Sequence, residues 1–224
     1  GDDELSKGDA NDEWARKHDY DMDEFQSWRE IYDSLSTGKG GENIYDGDIE
    51  ADMRSVLYGL TKRGVIQIEK TSPHDQRVFL ASPMSYEQFM DLVKGHTVDD
   101  DFLKGKIEDN EYLTAKEYAK CNDDLKAYYL RWRLKHPPAS FSIIQRRDAI
   151  DFGFIPVQDE LMPQDDFRNS RDDNEKGMAI VYKLKRGIPL TATESFESLR
   201  IKVKRRIPLN PTEKREAIRQ GLIH

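Results

Sequence analysis

The sequence predicts an α+β protein, with a helix-and-hairpin module near the front and a basic strand–helix unit at the C-terminus. Three observations carry this prediction. Between Asp46 and Leu80 a helical hydrophobic period gives way at Lys62-Arg63-Gly64 to two short alternating runs split by a polar turn. In the tail, the pattern of residues 182–194 recurs 19 residues later at 201–213. Nine Phe, ten Tyr and three Trp can build a core, although hydrophobic residues are only 37% of the 224 and charged residues 35%.

Residues 1–20 form an acidic start, and Gly1 to Asp12 shows no apolar periodicity, so disorder is expected there. A first module spans 21–97. Phe25, Trp28, Ile31, Tyr32 and Leu35 mark one face of an amphipathic helix, which Asp21 or Asp23 can cap. The run Ser36 to Gly41 reads as a loop. It is a poor phosphate loop, because Lys39 is followed by Gly40 and no strand precedes it. Asp19, Asp21, Asp23, Ser27 and Glu30 fall at calcium-loop spacing, but Glu24 stands where the essential glycine belongs. An acidic helix start is the better reading.

The clearest stretch follows. Ile49, Met53, Val56, Leu57 and Leu60 keep helical spacing up to Lys62-Arg63-Gly64. Val65 to Glu69 alternates, Thr71 to Gln76 is a polar turn, and Arg77 to Ala81 returns. Leu60-Thr61-Lys62-Arg63-Gly64-Val65-Ile66 followed by Asp75-Gln76-Arg77-Val78-Phe79-Leu80 resembles the regulator-type winged helix over roughly 23–96. Tyr86, Phe89, Met90, Leu92 and Val93 would form its closing helix. The resemblance implies that the helix 49–62 enters a groove of DNA or RNA while the wing rests on phosphate. Arg54, Lys62 and Arg63 would then contact phosphate, with Arg77 on the same positive face, and Arg54 and Gln67 or Gln76 would be the polar readers. The helix 50–63 carries a net charge of only +1, so a protein-docking module is the competing expectation.

Residues 98–138 read as a helical connector, with Thr114 and Glu117 in capping-box spacing, a break near Asn122-Asp123-Asp124 and a stop at Pro137-Pro138. Its Tyr128, Tyr129 and Trp132 read better as a buried face than as a base-stacking platform. The remainder, 139–224, reads as a small α+β region. Residues 141–144 and 152–157 are expected strands, and 158–176 an acidic mobile loop.

Within 182–221, each copy of the repeat reads as a strand, a turn and a helix start. Thr191 with Glu194, and Asn210 with Pro211 and Glu213, are capping signals. Alternation from Leu199 to Lys204 puts three cations on one face. Lys183, Lys185, Arg200, Lys202 and Lys204 would therefore line a basic sheet face able to contact phosphate. The charge is lopsided: 181–224 carries +7 and the rest −15, within a total of −8.

Signals for catalysis are poor, and no catalytic residue, cofactor or metal is expected. The five histidines lack metal-ligand spacing, and Cys121 has no evident base beside it. A single cysteine allows no internal disulfide, which fits a reducing compartment without identifying one. No membrane-spanning run and no leader are expected. Two functions stay open. One is a non-catalytic nucleic-acid-binding factor of transcription or replication, with DNA or RNA as partner. The other is a structural or adaptor subunit whose modules dock proteins or a second copy of the chain.

Overall fold

The structure is a computed structural model that describes residues 13–18, 21–37, 50–72, 75–136 and 140–224. The acidic start 1–12, the glycine run 38–41 and the turn tip 73–74 lie outside the described residues. The chain divides into two compact units, residues 1–122 and 123–224.

In the first unit a helical turn at 13–17 precedes helix α1 (Met22–Ser36). Asp21 caps α1 by accepting from the amides of Asp23 and Glu24. Next come α2 (Ala51–Lys62), strands β1 (Ile66–Ser72) and β2 (Asp75–Leu80), and helices α3 (Tyr86–Lys94), α4 (Asp100–Glu108) and α5 (Ala115–Lys120). The strands pair antiparallel, with Ile66 opposite Leu80 and Glu69 opposite Arg77. One side of the hairpin, with Ile66 and Val78, closes over a core of Phe25, Trp28, Leu35, Leu57, Leu60, Tyr86, Phe89, Met90 and Val93. Gly64, at φ 77°, turns the chain from α2 into β1.

The second unit is entirely helical among the described residues: α6 (Asp123–Lys135), α7 (Ile143–Asp151), α8 (Gln164–Asn169), α9 (Asp173–Lys185), α10 (Ala192–Lys204) and α11 (Pro211–Arg219). Its core joins Ile150, Leu161 and Tyr182 in one cluster, and Met162, Phe167, Ala179 and Ile180 in another.

These observations overturn the α+β expectation. Among the described residues the only sheet is the two-stranded hairpin. The first unit keeps the expected order of helix, glycine, strand and return strand, but as one hairpin on helices it is not a clear winged helix. The C-terminal strand–helix unit is absent, since Lys183 and Lys185 lie on α9 and Arg200, Lys202 and Lys204 on α10. Residues 143–144 open α7 behind a capping box of Ser142 and Gln145, residues 152–157 are a turn and extended chain, and 158–176 contains α8 and the start of α9. The reason is physical. The six alternating residues fit a helix because the cations among them find partners on neighbouring helices, Arg200 and Lys204 on α9 and Lys202 on α11.

Candidate docking and anion-contact surfaces

The structure spreads the first-unit candidates over two elements. Arg54, Lys62 and Arg63 belong to α2 and its C-cap, and Gln67 and Arg77 to the hairpin, both exposed. The Gln76 side chain lies outside the described residues. Arg54 is half-buried and already engaged within the protein. Lys62 Nζ lies 2.7 Å from Asp109 Oδ2, which also accepts the Tyr58 hydroxyl at 2.5 Å. Lys62 and then Tyr58 hold the Asp109 carboxyl below the usual range. Burial, reinforced by Asp109, pushes the Tyr58 phenol up. On the same helix, Asp52 is bound by Lys116 at 2.6 Å. Arg77 stands opposite Glu69. Of the four expected cations, Lys62 makes a carboxylate ion pair among the described residues.

The tail candidates are consumed more fully. Helices α9 and α10 run antiparallel and are joined by a ladder of ion pairs. Lys183 Nζ meets Glu194 Oε1 at 2.7 Å, Lys176 meets Glu197 at 3.3 Å, and Asp173 takes Arg200 at 2.5 Å and Lys204 at 3.0 Å. Lys202 meets Glu213 of α11 at 2.5 Å. Arg200 and then Lys204 bring the Asp173 carboxyl down to about 2. Burial pushes Glu194 up, but Lys183 and the Thr191 amide outweigh it and hold the carboxyl low. Of the five tail candidates, only Lys185 has no carboxylate partner among the described residues.

A joint that the sequence reading missed recurs three times. In each, a helix ends on a left-handed residue: Asn110 at φ 61°, Gly187 at 66° and Arg206 at 56°. The amide of the next residue returns to a lysine carbonyl: Glu111 to Lys106, Ile188 to Lys183, Ile207 to Lys202. The following helix starts with a capping box, Thr114/Glu117, Thr191/Glu194 or Asn210/Glu213. The boxed glutamate then binds the ammonium of that same lysine. One carboxylate thus caps one helix and ties down the end of the one before it. The signal in the sequence is Lys, ten residues, Glu, with the cap residue three before the Glu. The tail repeat contained it, and 106–117 is a third copy with few matching letters.

Beside the Lys106–Glu117 joint, Ser55 Oγ donates to Glu117 Oε2 at 3.2 Å. His96 abuts Gly59, where a Cβ would fall 2.4 Å from its Cε1, and stands edge-on to Phe102 at 4.9 Å between centroids. Its Nε2 is buried with no hydrogen-bond partner among the described residues. Burial lowers its pKa; Arg63 and Lys120 add to this, against Glu117 and Asp99.

On the second unit a cleft follows the outer face of α9. Gly177, Met178, Val181 and Tyr182 floor it, α7 gives Arg147 and Asp151, and Lys185, Arg186 and Arg205 rim it. Arg186 stacks 3.8 Å above the Tyr182 ring and reaches Asp151 at 3.0 Å.

Among the described residues no three His, Cys, Asp or Glu side chains gather to hold a metal, and no helix is long and apolar enough to cross a membrane. Compared with protein-family models, curated proteins and solved structures, the chain matches none.

Proposed function

We propose that this chain is a non-catalytic structural or adaptor subunit that docks proteins. One observation carries the reading. Five of the nine cations expected to hold a phosphate backbone are instead matched to carboxylates inside each unit, in Lys62–Asp109, Lys183–Glu194, Arg200–Asp173, Lys202–Glu213 and Lys204–Asp173. A cation already held by a carboxylate must give up that partner before it can neutralise a phosphate and release the phosphate's condensed counterion, so it adds little to nucleic-acid affinity. Exposed apolar side chains on the second unit, Val181 and Leu184 among them, supply the kind of surface on which proteins dock.

A second reading, nucleic-acid contact, rests on Arg206. This exposed cation holds a left-handed backbone that favours glycine, next to exposed Arg205. Fluorescence anisotropy with labelled duplex and single-stranded probes across a salt series decides between the two. The adaptor reading expects binding no tighter than about 10⁻⁴ M at physiological salt, in the non-specific range. Submicromolar binding, with a steep salt slope that flattens when Arg205 and Arg206 become Ala, overturns it.

A further inference from the structure

We infer that the cleft on the outer face of α9 is a docking site for an amphipathic helix of a partner protein, one with an apolar stripe flanked by carboxylates. This rests on the adaptor reading and names the surface and the partner's chemistry.

The floor carries Met178 and Val181, and Val181 is 46% exposed. Leu184, which lies on α9 outside the cleft lining, is 59% exposed and extends the apolar surface of the helix. Tyr182 is fixed beneath it, its hydroxyl donating to the Gln158 carbonyl at 2.6 Å and accepting from the Gln158 amide at 3.0 Å. A pre-formed apolar strip on a rigid helix suits a partner helix that presents residues at three- and four-residue spacing.

The rim selects the sign of the partner's charge. Asp151 is taken by Arg186, and Asp173 by Arg200 and Lys204. Lys185 has no carboxylate partner among the described residues, and Arg205 reaches only the neutral Asn174 amide oxygen, at 2.8 Å. Two positive charges thus remain over the cleft after internal pairing. Carboxylates flanking the partner's stripe would complete them.

Gly177 points to close approach. Glycine inside a helix costs about 1 kcal/mol relative to alanine. A Cβ at Gly177 would meet nothing within 4 Å, so no packing inside the protein requires the glycine. Its place on the cleft floor lets a partner backbone come near α9.

The test uses the full chain and a fluorescein-labelled helical peptide of roughly 18 residues, with leucines at helical spacing and flanking glutamates. Anisotropy should give a Kd of tens of micromolar, as expected for a small interface. Val181→Asp and the pair Lys185→Glu with Arg205→Glu should each weaken binding about tenfold or more. A peptide with lysines replacing the glutamates should not bind. Gly177→Ala is the internal control, because it should raise the thermal midpoint while weakening the peptide. The inference falls if the peptide fails to bind at about 1 mM, or binds every variant equally. It also falls if single-stranded DNA displaces the peptide, which makes the cleft an anion site. Self-association abolished by Val181→Asp would overturn it too, by making a second copy the occupant. Failure of the peptide without nucleic-acid binding removes the cleft and leaves the adaptor reading standing.

Discussion

Lys183 and Glu194 stand eleven residues apart, on successive helices, and their side chains meet at 2.7 Å with almost no exposure to solvent. The Glu194 carboxylate also accepts the Thr191 amide at 2.9 Å, so one side chain serves two helix ends at once. Removing it strands a buried ammonium and an amide together.

Glu194→Ala should therefore destabilise the second unit by about 3–5 kcal/mol, the range for breaking a buried pair from one side. Lys183→Met should cost less, because Glu194 keeps the Thr191 contacts and the methionine fills a similar volume. Urea unfolding measures both, and a Glu194→Ala cost below about 1 kcal/mol would refute the joint as a source of stability. The Glu194 carboxyl lies low in the folded state, so its contribution is complete above its unfolded pKa and is lost as pH falls through the folded value.

Arg206→Gly should stabilise the chain. At φ 56° an L side chain costs about 1–2 kcal/mol, whereas Gly187 holds the same place in the sister joint without that cost. The thermal midpoint should rise by roughly 2–4 °C per kcal/mol gained. Gly187→Ala should move it the other way, and equal midpoints for all three proteins would contradict the assignment of strain.

How much of this was legible in the sequence depends on what each signal measures. The faces of α1, α2 and α3 were readable because Phe25, Trp28, Leu57, Leu60, Phe89 and Met90 bury apolar surface at helical spacing. Caps were readable because Thr114, Thr191 and Asn210 act within three residues of themselves. The tail was misread because its buried positions include Lys176, Lys183 and Glu194, which a hydrophobic pattern counts as solvent-facing. With those subtracted, Leu199, Ile201 and Val203 show only alternation, which favours a strand. The pairing of the candidate phosphate contacts was hidden for the same cause: a composition count finds the cations but not the carboxylates opposite them.

The contact between Gly59 and His96 makes a paired prediction. Gly59→Ala places a methyl 2.4 Å from the imidazole and should cost about 1–3 kcal/mol. His96→Ala should recover most of that loss in the double variant. Full additivity of the two costs would mean that the ring does not rest on this glycine.

His96 should also make the first unit acid-sensitive. Its folded pKa lies below the unfolded value of about 6.5. The unfolded chain therefore binds the proton more readily, and stability is full above about pH 6.5 and declines below it. The decline should approach about 1.4 kcal/mol per pH unit while the folded ring stays neutral. Comparing urea midpoints at neutral and mildly acidic pH checks this, and His96→Gln should remove that part of the slope.

The lysine–glutamate joints have a consequence for digestion. Trypsin needs several residues of extended, peelable chain around a basic side chain. Lys185, Arg186, Arg205 and Arg206 mark the two tail turns and would ordinarily invite cleavage. Their backbones are held instead by the return bonds to Lys183 and Lys202 and by the capping boxes that follow. Fragments that begin at Gly187 or Ile207 should accordingly appear only once the unit has opened as a whole, which makes the rate of their release a clock for global unfolding.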